Sequence, residues 1–200
     1  GYIGLELGTV WARLGAEVEV IEFLPRILPG MDSEVAKKFM AIAKKQGLKF
    51  RLSTAVKSAI SGKNGVTLRV APAAGGDEEE IKADVVLVSV GRHPAIDGLN
   101  LDAMGVAMTP RGRIAVDARF ETSIEDIYAI GDVIEGPMLA HKAEEDAFAA
   151  VEMMAGKAGH VDYDLVPGIV YTAPEIATLG KSEEALKDAG IDFAKGVFPF

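Results

Sequence analysis

Two glycines at a helix start and an acid after the next strand form a pattern that could bind a dinucleotide. Gly1 and Gly4 open an apolar helical stretch, and Glu22 follows Gly4 by 18 residues. Glycines there let a pyrophosphate approach the backbone N–H groups of the helix start, and the acid accepts hydrogen bonds from a ribose. The first glycine of G-x-G-x-x-G is missing, so a helix-packing contact beside an ordinary acid is the alternative interpretation.

A second pattern places one carboxylate after a short apolar strand. Residues 128–132 are Tyr-Ala-Ile-Gly-Asp, so Asp132 lies where a strand's carboxyl end meets a helix start. Nucleotides bind at that edge of open α/β sheets, and a carboxylate there can accept hydrogen bonds from polyol hydroxyls. The alternative is that Asp132 is only a helix N-cap.

A third pattern, in residues 136–143, predicts a helix start whose N–H groups favour negative charge. His141 lies in it, although a lone histidine is more often capped or packed than catalytic. His93 and His160 are expected to be solvated. Residues 144–146, Glu-Glu-Asp, are expected to form a solvated helix face.

The elements that must position these residues alternate between helix and strand, which predicts an α/β fold. In the first helix Ile3, Leu7, Val10 and Leu14 share one face, as is typical of a face that packs on a core. The run 84–90 is almost entirely apolar, as is typical of a strand buried on both faces. The expected helices are 3–14, 33–46 and 140–155; the expected strands are 17–22, 48–52, 56–60, 66–70, 84–90, 113–116 and 126–130. Asp32 or Ser33 can cap the second helix, Gly47 and Gly156 close the second and third, and Asn64-Gly65 predicts a hairpin turn between 56–60 and 66–70.

The composition limits the function further. The 200 residues are 49% hydrophobic and 26% charged, which is typical of a globular protein, and their net charge of −9 disfavours sequence-independent nucleic-acid binding. The sequence contains no cysteine, which excludes disulfides, thiol nucleophiles and cysteine metal sites from these residues. We expect no metal site, and no apolar run approaches the roughly 20 residues of a membrane helix. Because the chain opens at Gly1 without methionine and stops within a strand pattern at 197–200, we expect a piece of a longer polypeptide.

Taken together, these motifs resemble the dihydrolipoyl dehydrogenases, which are flavoproteins of the pyridine nucleotide–disulfide oxidoreductase class. The motifs occur along the whole chain in the same order as in that family, and the most specific of them is Pro137–Asp146. The other stretches that carry the resemblance are Gly1–Gly8, Ser89–Arg92, Tyr128–Val133, His160–Asp164 and Val170–Glu175.

The resemblance implies Rossmann-like FAD- and NAD-binding domains, built on a parallel sheet with a crossover β-meander, and the start of an α+β interface domain. Residues 1–93 would be the NAD-binding domain without its first strand. Residues 94–165 would be the second segment of the FAD-binding domain. Residues 166–200 would begin the dimerisation domain of a homodimer.

The resemblance also implies an activity for the longer protein: oxidation of protein-bound dihydrolipoamide through a redox disulfide and FAD, with hydride transfer to NAD. The partners would be the lipoyl domain of an acyltransferase or the glycine-cleavage H protein, with no nucleic acid or membrane. The location would be a bacterial cytoplasm or a mitochondrial matrix. The alternatives are another pyridine nucleotide–disulfide reductase, or a nucleotide-binding module without catalysis.

The family's binding residues transfer to matching positions here, whereas its catalytic cysteine pair and His–Glu dyad would lie outside this chain. Residues 1–200 alone are therefore expected to be inactive. The NAD site would involve Gly1, Tyr2, Ile3, Gly4, Leu5, Glu6, Glu22, Val56 and Gly91. The FAD site would involve Asp132, Met138, Leu139, Ala140 and His141.

Overall fold

The computed structural model describes residues 1–198, which divide into two units. The first unit contains Gly1–Val90 and the described residues from Pro167 onward, and the second contains Gly91–Val166. Parallel and antiparallel strand pairs both occur, as expected for an α/β fold. Residues 199 and 200, the end of the strand pattern expected at 197–200, lie outside the described residues.

The first unit contains most of the regular structure. Its elements before residue 90 are α1 (Tyr2–Arg13), β1 (Glu19–Ile21), α2 (Ser33–Lys45), β2 (Lys49–Arg51), β3 (Thr54–Gly62), β4 (Gly65–Pro72) and β5 (Glu79–Ala83). The second unit contains α3 (Leu101–Met104) and α4 (Ala140–Met154). The first unit ends with β6 (Gly168–Val170), β7 (Ile176–Thr178) and α5 (Glu183–Asp188).

A strand–helix–strand segment follows α1 in the first unit and confirms the expected elements there. β1 and β2 pair in parallel, with Val20 opposite Phe50, and α2 connects them. The side chain of Asp32 accepts a hydrogen bond from Glu34 N at 2.9 Å and so caps the start of α2. After α2, Gly47 has a φ of +99°, which suits a helix C-terminus.

The three antiparallel strands β3, β4 and β5 form a meander. The expected hairpin is confirmed, because β3 and β4 pair from Thr54 with Pro72 to Gly62 with Gly65 around a two-residue turn. β5 was not expected, since its sequence, Glu-Glu-Ile-Lys-Ala, has few residues that favour strands. Its pairing with β4 therefore decides its conformation.

The prediction that Ile3, Leu7, Val10 and Leu14 form the buried face of α1 is wrong. Leu5 is fully buried in the core of the first unit, whereas Leu7 and Val10 are 39% and 47% exposed. The heptad-like spacing shows which residues share a face, but neighbouring segments decide which face is covered. Here the core is built from α1, the loop after β1, α2, and β6 and β7: Leu5, Ile27, Leu28, Met31, Ala36, Phe39, Ala43, Leu48, Val170 and Ile176.

Three expected strands are also wrong. Residues 84–90 form no strand, and Val85, Val88 and Val90 are 75%, 72% and 94% exposed. In the second unit, 113–116 and 126–130 make only the isolated bridges Met108–Ile114 and Glu121–Tyr128. Each run has strand-forming residues, but no strand among residues 1–198 supplies a ladder of backbone partners.

The expected long helix of the second unit is confirmed as α4, which ends before Gly156. One face of this helix packs on the turns and bridges that precede it. The buried residues of this second core are Val106, Ile114, Phe120, Ala129, Ile134, Ala149 and Ala150.

Replacing Asp32 with Ala is expected to lower the free energy of unfolding of the whole protein by about 1–2 kcal/mol. The substitution removes the cap of α2 and also the acceptor for Glu183 N, which lies 3.1 Å from Asp32 Oδ2. Urea denaturation measures the change, and Asp32→Asn should restore most of the loss because an amide oxygen can also cap. Asp77→Ala in an exposed turn is the control, and an equal loss there would contradict the assigned cap.

Candidate functional site

The two parts of the dinucleotide pattern lie side by side in the first unit. Gly1 is the N-cap of α1, and its nitrogen lies 3.6 Å from Glu22 Oε2. Glu22 directly follows β1, and its Oε1 accepts a hydrogen bond from Leu24 N at 3.0 Å, which orients the carboxylate. A helix start and a carboxylate are therefore brought together as a ribose and pyrophosphate would require.

Gly4 and Leu5 contribute to packing in this structure. A Cβ on Gly4 would lie 2.6 Å from Ser89 Oγ, so glycine lets residue 89 approach the helix. The fully buried side chain of Leu5 anchors the same turn in the core, whereas Ile3 is 41% exposed. Any contact of Leu5 with a cofactor would therefore be made by its backbone.

The other residues expected at an NAD site lie on several elements, and one of them, Gly91, belongs to the second unit. Glu6 Oε1 accepts a hydrogen bond from Tyr171 N at 2.9 Å, which ties α1 to the segment after β6. Tyr2 is partly buried, and this burial raises the pKa of its hydroxyl. Val56 is 50% exposed on β3. Gly91, which belongs to the second unit, has a φ of +127° and open space where a Cβ would stand.

In the second unit, Asp132 forms an ion pair that the sequence did not suggest. Asp132 lies in a 3-10 turn (Gly131–Val133), and its Oδ2 accepts a hydrogen bond from Arg92 Nη2 at 2.9 Å. The pair joins two of the sequence motifs, although 40 residues separate them. Since Arg92 is 58% exposed, solvent screens the pair and it adds little stability.

A buried ion pair lies behind this turn. Lys142 and Asp146, one helical turn apart on α4, are both 0% exposed, and Lys142 Nζ donates to Asp146 Oδ2 at 2.7 Å. Lys142 Nζ also donates to Gly131 O at 3.0 Å, and Gly131 N donates to Asp146 Oδ2 at 2.9 Å. The expectation that residues 144–146 form a solvated face is therefore wrong for Asp146.

The hydroxyl of Tyr163 completes this network by donating to Asp146 Oδ1 at 2.8 Å. Burial, followed by the hydrogen bond and charge of Asp146, raises the pKa of Tyr163, so the hydroxyl stays protonated and remains a donor. Sequence reasoning missed Lys142, Asp146 and Tyr163 as a group. The only local signal was opposite charge at i and i+4, which is equally typical of an exposed pair.

The segment expected to contact a flavin leads into α4. Leu139 is the N-cap of the helix in an extended conformation and makes no side-chain cap, and no acidic residue lies in the first turn. Met138, Leu139 and His141 are partly buried, and Ala140 is exposed. The helix start can therefore present positive dipole ends to an electron-rich group.

Within residues 1–198, no group of three or more histidine, aspartate or glutamate residues could hold a metal ion. No helix in this part of the chain is long and apolar enough to cross a membrane. His93 and His160 are both exposed, as expected.

Comparison with known proteins identifies relatives over the full chain. Residues 1–147 match the family described as pyridine nucleotide-disulphide oxidoreductase. Mitochondrial dihydrolipoyl dehydrogenases are 56% identical over 200 residues in Pisum sativum and 50% identical over 202 residues in Homo sapiens, in each case covering 100% of this chain and 40% of the relative. Leghemoglobin reductase of Glycine max is also 56% identical over 200 residues, covering 100% of this chain and 38% of the relative. The chain thus spans about 40% of the length of these curated relatives.

A solved structure supports the expected fold class. The HOCl-induced flavoprotein disulfide reductase RclA of Escherichia coli matches with a TM-score of 0.83 and 27% identity, covering 96% of this chain and 43% of that chain. The expectation of Rossmann-like nucleotide-binding architecture is confirmed by this likeness and by the family match.

Gly131→Ala and Gly112→Ala form a matched pair, because the two glycines have φ values of +73° and +72°. Only at Gly131 would the new Cβ meet a side chain, that of Ala143 at 3.0 Å. Both changes carry backbone strain, but we expect Gly131→Ala to lower the free energy of unfolding by about 1–3 kcal/mol more. Urea denaturation of the two variants measures this difference, and equal losses would contradict the close packing of the turn on α4.

Proposed function

The chain belongs to the pyridine nucleotide-disulphide oxidoreductase family, and from this premise we propose that the protein containing it is a dihydrolipoyl dehydrogenase. The observation that carries the proposal is 50–56% identity to dihydrolipoyl dehydrogenases over the full length of the chain. The overall reaction would be dihydrolipoamide plus NAD⁺ giving lipoamide, NADH and a proton. FAD, when bound, supplies the two-electron chemistry between the dithiol and the nicotinamide.

In this proposal the first unit holds NAD. Glu22 would accept hydrogen bonds from the adenosine ribose, and the start of α1 would border NAD, with Gly4 at the pyrophosphate. The 3.6 Å distance between Gly1 N and Glu22 Oε2 and the orientation of the Glu22 carboxylate by Leu24 N support this assignment. Glu6 would lie near the nicotinamide, held in place by its hydrogen bond from Tyr171 N.

The second unit holds FAD in the same proposal. Asp132 would accept hydrogen bonds from the ribityl or ribose hydroxyls, and residues 138–141 would contact the flavin ring. The partly exposed carboxylate of Asp132 and the start of α4, which carries no acid in its first turn, fit those roles. Residues 166–200 would begin the dimerisation domain of a homodimer. Since the sequence has no cysteine, these residues position cofactors and leave the thiol chemistry to the rest of the protein.

The partners would be lipoamide-bearing proteins, either the acyltransferase of a 2-oxo acid dehydrogenase complex or the glycine-cleavage H protein. The location would be the mitochondrial matrix in a eukaryote, in line with the mitochondrial relatives, or the cytoplasm of a bacterium. A flavoprotein reductase with another acceptor is the second candidate, favoured by the 56% identity to a leghemoglobin reductase.

An assay of the whole purified protein tests the function. We expect NADH formation from dihydrolipoamide in the presence of FAD, with a much lower rate when glutathione disulfide is offered with NADPH. Residues 1–200 expressed alone should give no activity above background. A higher kcat/KM for glutathione disulfide, or for leghemoglobin, would favour the second candidate.

The whole protein is expected to prefer NAD to NADP, because the carboxylate of Glu22 would face the 2′-phosphate of NADP. Two like charges about 4 Å apart repel by about 4 kcal/mol near a protein surface. Glu22→Gln should therefore raise kcat/KM for NADP by about tenfold or more, with a smaller change for NAD. Steady-state kinetics with both cofactors measure the effect, and the exposed Glu17→Gln is the control. A preference of the unaltered protein for NADP would contradict the role of Glu22.

Asp132→Ala should weaken FAD binding by about tenfold to a hundredfold, since a hydrogen bond to a charged acceptor contributes roughly 1.5–3 kcal/mol. Asp132→Asn should be milder because the amide keeps one acceptor, and NAD affinity should change less. Flavin absorbance per protein after dialysis gives the result. Full retention of flavin with loss of NAD affinity would assign Asp132 to the other nucleotide site.

A further inference from the structure

We propose that Lys142, Asp146 and Tyr163 form a positioning cluster that fixes the Gly131–Asp132 turn for flavin binding. The inference rests on the proposed function, in which Asp132 holds FAD. The three residues themselves would act through the turn and would not contact the cofactor.

Side chains of α4 bind both backbone polar groups of Gly131. Its N–H donates to Asp146 Oδ2 at 2.9 Å, and its C=O accepts from Lys142 Nζ at 3.0 Å. These two bonds fix the peptide planes on both sides of Gly131, and the second of these planes contains the nitrogen of Asp132. The direction in which the chain enters Asp132 is therefore set by two side chains of α4.

Lys142 and Asp146 form an ion pair that is fully buried. Burying two charges costs free energy, and a protein in which apolar residues replace a buried ion pair is often no less stable. An apolar pair would, however, remove the acceptor of the buried N–H of Gly131 and leave its C=O with only the longer hydrogen bond from Ile134 N at 3.3 Å. The ion pair therefore supplies hydrogen-bonding geometry at the turn rather than favourable burial.

Tyr163 fixes the orientation of the aspartate. Its hydroxyl donates to Asp146 Oδ1 at 2.8 Å, so Oδ2 is left to face Gly131 N and Lys142 Nζ. The Tyr163 ring also lies 5.2 Å from Lys142 Nζ, within the range of a cation–π contact. The cluster thus joins α4 to the 3-10 turn Tyr163–Leu165.

The residues that follow Asp132 leave space for the side chain of Lys142. A Cβ on Gly136 would lie 2.9 Å from Lys142 Cε, so glycine makes room for the lysine side chain. Arg113 Nη1 donates to Ile134 O at 2.6 Å and to Gly136 O at 3.0 Å, which holds the outer part of this segment. The segment from Asp132 toward the start of α4 is therefore fixed from both sides.

The test uses the whole protein with Asp146→Asn, Lys142→Met and Tyr163→Phe. Glu145→Gln, at the exposed neighbouring position on α4, is the matched control for Asp146→Asn. Flavin-free protein is titrated with FAD by flavin fluorescence and with NAD by calorimetry. We expect FAD binding to weaken about tenfold or more for Asp146→Asn and Lys142→Met, and about three- to fivefold for Tyr163→Phe. The FAD affinity of the control and the NAD affinity of every variant should change by less than about twofold. A change of that size is smaller than the effect of losing one hydrogen bond.

A second measurement reports on the turn without any cofactor. Hydrogen exchange of the peptide covering residues 128–136 should be faster in flavin-free Asp146→Asn and Tyr163→Phe than in Glu145→Gln. Tyr163→Phe keeps the ring and removes only a hydroxyl from a partly exposed residue, so it tests the cluster even if the charge variants fail to fold.

The outcomes separate the proposal from the function on which it rests. Unchanged FAD affinity in Tyr163→Phe would overturn the positioning role. So would an equal loss of FAD and NAD affinity with faster exchange throughout the protein, since that result indicates a general structural role. If the unaltered protein binds NAD but no FAD, the proposed function fails, and the positioning role fails with it.

Discussion

Gly131 is buried, and both of its backbone polar groups are bound by side chains from one turn of α4. Strand pairing cannot satisfy these groups, because the neighbouring residues make only isolated bridges. Buried backbone groups must nevertheless be paired. Asp146 accepts from the N–H of Gly131, and Lys142 donates to its C=O beside the 3.3 Å hydrogen bond from Ile134 N, at the cost of burying two charges. The hydroxyl of Tyr163 completes the pairing of Asp146, whereas a φ of +73° and the close approach of Ala143 require glycine at 131.

The candidate NAD site depends on a different kind of support. Glu22 lies beside the start of α1 for two reasons. Glu22 directly follows β1, and Leu5 anchors α1 in the core. Ser89 lies against Gly4, and Tyr171 N binds Glu6, so segments distant in sequence hold the same helix. The polar groups that would face a nucleotide are therefore carried on elements whose buried side chains fix them.

In both candidate sites the residues of this chain would orient cofactors and would not carry out the redox chemistry themselves. The reaction proposed for the whole protein needs thiols, flavin and nicotinamide, and none of these is a side chain of this sequence. What these residues contribute is orientation: carboxylates for sugar hydroxyls, helix starts for negative groups, and glycines where backbone and side chains approach closely. The contribution is testable by binding and exchange as well as by turnover.

The sequence alone determined the elements whose signals are local. Caps and glycines gave the ends of α2 and α4, the Asn64-Gly65 pair predicted the hairpin, and ordered motifs indicated the family. Tertiary structure decided everything that needs a distant partner. It left residues 84–90 unpaired, chose the Leu5 face of α1, paired Arg92 with Asp132 and buried Asp146. The physical reason is that periodicity reports which residues share a face, whereas burial and hydrogen bonding depend on what the rest of the chain brings against that face.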